Sequence, residues 1–149
     1  MVKVLIKKLD LKVELPAYKT DGASGMDLMA FIKEPINLKP NSSCLVPTGL
    51  AVAFSRDFEI QIRPRSGLAA KNNVSVLNTP GTIDSDYRGE IKVILFNHGK
   101  NDFLINNKDR IAQMILTPVI KMELQEVDIL PETLRGRDGF GSTGKWAKH

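Results

Sequence analysis

Cysteine occurs once in the 149 residues, at Cys44, and histidine twice, at His98 and His149. A single thiol forms no internal bridge, and two distant imidazoles give no zinc-ligand spacing. The fold therefore rests on neither disulfide nor zinc, any metal is held by oxygen ligands, and the thiol usage fits a reducing, cytoplasmic compartment. Long apolar runs are missing as well. No stretch reaches the about 18 apolar residues of a membrane span, and charges interrupt the N-terminal MVKVLIKKLDLKVEL every few residues, unlike a signal peptide. Neither export nor membrane contact is expected. Strong charge of one sign is also lacking, since 21 basic and 17 acidic residues leave a net charge of only +4. Stable nucleic-acid binding is not expected from so small a balance.

What the chain does hold is the composition of an ordinary globular domain, 42% hydrophobic and 26% charged. At this length a chain buries roughly two-thirds of its unfolded surface around one core. Its arginines are clustered rather than spread: Arg63 and Arg65 flank Pro64, and Arg135 and Arg137 lie near the end with Lys145 and Lys148. Guanidinium forks so grouped suit a small polyphosphate, although a solvated basic tail would look the same from charge alone.

The dominant hydrophobic period is two. Phe58, Ile60 and Ile62 alternate with Glu59, Gln61 and Arg63, and Leu50, Val52 and Phe54 with Ala51 and Ala53, so both runs predict strands with one face on the core. Glu90 to Asn97 is apolar on nearly both faces and predicts a central strand covered on both sides. Turn residues at Asp21-Gly22, Pro40-Asn41, Pro47, Asn72-Asn73, Pro80-Gly81, Asn97-His98-Gly99, Asn106-Asn107, Pro118 and Pro131 recur at short intervals. That spacing argues for an all-β sandwich or barrel. Only Ser66 to Lys71 reads as helical, one or two turns with Ser66 as N-cap. The β domain spans 1–132. After it the glycine-rich segment 133–149 lacks apolar periodicity and reads as a mobile C-terminal arm, in which Phe140 suits a closing lid better than a solubilising tail.

Four further segments carry chemistry. Asp27 interrupts the apolar strand ASGMDLMA, where a carboxylate needs a compensating partner, an arginine or a metal-bound water. Arg63 to Lys71 ends a strand in Arg-Pro-Arg and opens a helical turn at Ser66-Gly67, an anion-binding arrangement or a common turn. Asp84, Asp86 and Tyr87 follow a Pro-Gly turn. A carboxylate there can deprotonate water beside a flat aromatic wall, or simply close an Asx-turn. In DRIAQMIL, Arg110 and Gln113 sit among apolar strand residues, and a buried amide must find partners.

Together these segments resemble the five motifs of the trimeric dUTP diphosphatase (dUTPase) family, in order and spacing, from Lys12 to Gly144; PRSGLAAK, GTIDSDYRGE, DRIAQ and GFGSTG are near-verbatim signatures. The resemblance implies a distorted jelly-roll of short strands with one short helix and a flexible C-terminal arm, assembled as a homotrimer with active sites shared between subunits. It implies hydrolysis of dUTP to dUMP and pyrophosphate, which limits uracil incorporation into DNA and supplies dUMP for dTMP synthesis. Asp84 would activate the water that attacks the α-phosphorus, and Gln113 would contact that water and the α-phosphate. Asn78 and the hairpin backbone through Ile83 would form the uracil pocket, with Tyr87 beneath the deoxyribose. Arg65, Ser66 and Gly67 would bind the triphosphate. In the arm, Arg135 would clamp the γ-phosphate, Phe140 stack on uracil, and Gly141 and Ser142 donate to the γ-phosphate. Mg2+ would ride on the substrate phosphates, with Asp27 reaching it through a water.

Asp138 stands where the family's last motif often has glycine, and neither it nor Arg137 receives a role. Two rival readings share this nucleotide class. A dCTP deaminase-type enzyme has the same fold but lacks the GFGSTG motif in this form, and a non-catalytic dUTP-sensing regulator would be free to lose Asp84, which is present here.

Overall fold

The computed structural model describes residues 1–139. Within them the chain forms eleven strands and one helix: β1 (Leu5–Lys8), β2 (Met26–Met29), β3 (Ile36–Leu38), β4 (Ser43–Pro47), β5 (Leu50–Ala53), β6 (Phe58–Arg63), α1 (Ser66–Asn72), β7 (Val74–Val76), β8 (Gly81–Ile83), β9 (Lys92–Asn97), β10 (Phe103–Ile105) and β11 (Arg110–Pro118). All pairings are antiparallel. The larger sheets have the orders β2-β11-β6-β8 and β4-β9-β7, and β1-β5 and β10-β3 are two-stranded ribbons.

Alternation explains why these segments pair and where their side chains go. On β6, Ile60 and Ile62 are buried while Arg63 is exposed; on β9, Val93, Leu95 and Asn97 are buried while Lys92 is exposed. Their inward residues meet Leu28, Leu38, Val46, Val74, Ile105 and Ile111 in one core. Each such fully buried aliphatic side chain contributes roughly 1.5–3 kcal/mol. The buried Asn97 is tied off, Nδ2 donating to the carbonyls of Leu38 and Asn101 at 3.0 and 2.8 Å and Oδ1 accepting the Gly99 N–H at 2.8 Å; Thr117 Oγ1 is buried without a partner among the described residues.

Several expectations shift in detail. β9 is central in its sheet, yet its outer residues Ile94 and Phe96 are only half-buried, so the second face is not closed within one chain. Along β5 the small residue Ala51 is buried together with Leu50 and Val52, so the strand does not show the one-sided burial expected of it. Pro47 is the last residue of β4 rather than a turn; the reversal follows at Gly49, whose φ of +68° a side-chain-bearing residue would hold only under strain. Arg65, with extended backbone and no side-chain capping bond, is the N-cap of α1, and Ser66 is its first helical residue. No helix among the described residues is long and apolar enough to cross a membrane.

After β11 the last backbone tie to the body among the described residues is the Val119 N–H donated to Asp57 O at 2.8 Å. Ile120, Met122, Leu124, Ile129 and Leu130 then stand exposed.

Candidate active site

Two groups of candidate site residues lie toward opposite ends of β6. At its C-terminal end, register places Gln113 of β11 between Asp27 of β2 and Arg63 of β6. An irregularity in β11 between Arg110 and Ala112 turns Arg110 toward the same corner. Arg65 Nε donates to Asp27 Oδ1 at 2.9 Å, one of its terminal nitrogens donates to the Arg110 carbonyl at 3.2 Å, and the Arg110 guanidinium donates to Asp27 Oδ2 at 3.2 Å. One carboxylate thus answers two guanidiniums and leaves a net positive corner. Next to it, Ser66 and Gly67 open α1, both exposed, with no atom within 4 Å of where a Gly67 side chain would begin. Gln113 Nε2 donates to the Pro64 carbonyl at 2.9 Å, which fixes the amide beside the arginine turn.

The second group surrounds β8. The turn after this strand is closed by the Tyr87 N–H donated to Asp84 O at 3.1 Å. Ile83, Asp84 and Tyr87 line one side of an open cleft, with Thr82, Glu90 and Ile94 also in its wall. Asp84 additionally borders a polar hollow with Arg56, Glu59, Asp86 and Lys121. Tyr87 Oη donates to the Glu90 carbonyl at 2.9 Å, and Glu90 Oε1 accepts the Gly49 N–H at 2.9 Å, so the hairpin is pinned to the β4–β5 reversal. Asn78 stands beside Gly81, its Nδ2 3.3 Å from the position a Gly81 Cβ would take.

The register separates the two groups. Ile83 pairs with Ile60, so Asp84 falls level with Glu59, six residues before Arg65. At about 3.3 Å per strand residue that is roughly 20 Å along β6. The first group holds Asp27, Arg65, Ser66, Gly67 and Gln113; the second holds Asn78, Ile83, Asp84 and Tyr87. Neither contains Arg135, whose Nε donates to the Asp138 carbonyl at 2.8 Å. Asp138 does not adopt a positive φ; Gly136 does, at +56°. Phe140, Gly141 and Ser142 lie outside the described residues.

For a metal the donor set is sparse. No group of three or more His, Cys, Asp or Glu side chains suited to an ion occurs among the described residues. Asp27 has each oxygen engaged by one arginine, which leaves further lone pairs for a water molecule. Such a site fits the hydration shell of an ion carried by a polyphosphate, not a cage of protein ligands. Arg110 and Glu90 are functional-site neighbours that the sequence reading left without a role. The bond from Arg110 to Asp27 spans 83 residues and has no local signature.

These features define an all-β scaffold that carries a net positive corner and a carboxylate–aromatic cleft. A family model described as dUTPase matches residues 12–144, and the chain belongs to the dUTPase family. The chain is 54% identical over 145 residues to the deoxyuridine 5'-triphosphate nucleotidohydrolase of Rickettsia bellii (strain OSU 85-389), covering 97% of each protein. It is 52% identical over 147 residues to the enzyme of the same name from Maricaulis maris (strain MCS10), covering 96% of this chain and 97% of that one. Among solved structures, a Staphylococcus bacteriophage 80alpha dUTPase mutant with dUpNHpp superposes with a TM-score of 0.85 at 21% identity, over 95% of this chain and 98% of that one. That likeness establishes the jelly-roll fold.

Proposed function

We infer that this chain hydrolyses dUTP to dUMP and pyrophosphate. The observation that carries the reading is Asp84: an exposed carboxylate with no side-chain hydrogen bond or ion pair among the described residues, set on one hairpin with Ile83 and Tyr87. In this reading the carboxylate takes a proton from a water whose oxygen attacks the α-phosphorus. The bond from that phosphorus to the bridging oxygen breaks, and pyrophosphate leaves with the electron pair. Asn78 and the backbone through Ile83 receive uracil too tightly for a 5-methyl group, and Tyr87 lies beneath the deoxyribose where a 2′-hydroxyl would clash. Gln113 contacts the α-phosphate and the water. Arg65, Ser66 and Gly67 hold the triphosphate, with Ser66 near the oxygen between the α- and β-phosphates.

The roughly 20 Å of backbone between Asp84 and Arg65 in one chain supports sites that take these residues from different subunits, as in the homotrimer that the family resemblance implies. The segment 133–149 acts as the arm that closes a site, Arg135 on the γ-phosphate, Phe140 over uracil, and Gly141 with Ser142 as donors to the γ-phosphate. Mg2+ neutralises phosphate charge when bound with the substrate, and Asp27 would meet it through a water. Pyrophosphate release should be measured for dUTP, dTTP, UTP and dCTP, with and without Mg2+. Release from dUTP alone, dependent on Mg2+, is expected; ammonia release from dCTP, or binding of dUTP without turnover, would overturn the reading.

A further inference from the structure

We propose that Gly89 is a specificity-determining positioning residue, its missing side chain being the space in which the Tyr87 ring is held. The inference rests on the reading of Tyr87 as the platform under the sugar and adds what fixes that platform. A Cβ at Gly89 would stand 2.3 Å from Tyr87 Oη, 2.5 Å from Cζ and 2.9 Å from Cε2. Real side chains do not tolerate such separations, so the ring occupies the volume any other residue would fill. Backbone conformation is not the reason for glycine here, because the glycines with positive φ among the described residues are Gly49 and Gly136. The same hydroxyl end holds the ring there, by the bond from Tyr87 Oη to Glu90 O and by the anchorage of Glu90 on the Gly49 N–H. Tyr87 remains 44% exposed, so its free side faces the cleft it shares with Ile83 and Asp84.

The colliding atoms are the far end of a half-exposed side chain, which can swing aside without moving the backbone. Gly89→Ala should therefore fold yet lose the ring pose and its bond to Glu90. Discrimination by a steric wall depends on where the wall stands. The test compares kcat/KM for dUTP and UTP, with thermal unfolding, in the full-length assembled wild type, Gly89→Ala, Tyr87→Ala and the double variant. Gly89→Ala should lower the dUTP-over-UTP preference by roughly 10-fold or more, with little change in Tm. It should have no further effect on that preference in the Tyr87→Ala background, where no ring is left to displace. If Tyr87→Ala leaves the preference unchanged, the platform reading fails. If Tyr87→Ala changes it but Gly89→Ala does not, or if the two effects simply add, the role of Gly89 fails. A Gly89→Ala chain that does not fold, beside a double variant that does, would also overturn it by showing that the ring cannot yield.

Discussion

Asp84 and Asp27 are both carboxylates near strand ends, and their surroundings give them different work. Asp84 has no protein partner among the described residues, so Asp84→Asn should keep fold and nucleotide binding while lowering kcat roughly 10²–10⁴-fold, as steady-state pyrophosphate release would show. Asp27 is committed to Arg65 and Arg110. Asp27→Asn should cost about 1 kcal/mol in urea unfolding, a modest value because both guanidiniums are partly exposed. It should also raise KM for dUTP, since Arg65 loses the partner that aims it. Cys44 is different again: burial pushes its thiol above the ordinary 9.0. Less thiolate at neutral pH means slow alkylation, so the folded chain should react with iodoacetamide more slowly than free cysteine and speed up in urea. At this scale the residue types were legible in the sequence, because each motif is local. The identity of the partners was not: Arg65 lies 38 residues from Asp27, and only the packing of β2, β6 and β11 joins them.

Period-two patterning located β6, which has one face on the core and one toward solvent, whereas β9 was located by its nearly unbroken apolar run, whose outer residues Ile94 and Phe96 turn out only half-buried. Patterning was less informative for β5, where consecutive residues are buried, and for α1, whose cap depends on backbone geometry at Arg65 rather than on the hydroxyl at Ser66. Pro47 misled in the same way, since a proline that closes a strand looks like one that opens a turn. The actual reversal at Gly49 admits no side chain: a Cβ there would lie 2.5 Å from Val13 Cγ2, at a φ of +68°. Gly49→Ala should destabilise the fold by about 1–3 kcal/mol in denaturant unfolding. The same substitution should loosen Glu90, which accepts the Gly49 N–H and so steadies the hairpin that bears Asp84 and Tyr87.

The chain as a whole divides its candidate site residues between the two ends of β6. The family resemblance implies sites shared between subunits, and register along β6, which sets Asp84 and Arg65 roughly 20 Å apart along the backbone, agrees with that expectation. Arg65→Ala and Asp84→Asn chains, each inactive alone, should therefore regain partial activity after joint unfolding and refolding, where one chain lends its arginine and another its aspartate. Absence of recovery in demonstrably mixed assemblies would count against sharing. Beyond β11 lies the stretch where Ile120, Met122 and Leu124 stand exposed and Lys121 is exposed between them. A serine protease that cuts after lysine needs several residues in extended, unpaired form, which this stretch offers to a lone chain. Trypsin should cut after Lys121 as well as after the exposed Arg135 and Arg137, and the cut after Lys121 should leave all eleven strands in one surviving fragment. The rate of that cut then becomes a clock for whatever covers the stretch in solution, readable by mass spectrometry without any measurement of catalysis.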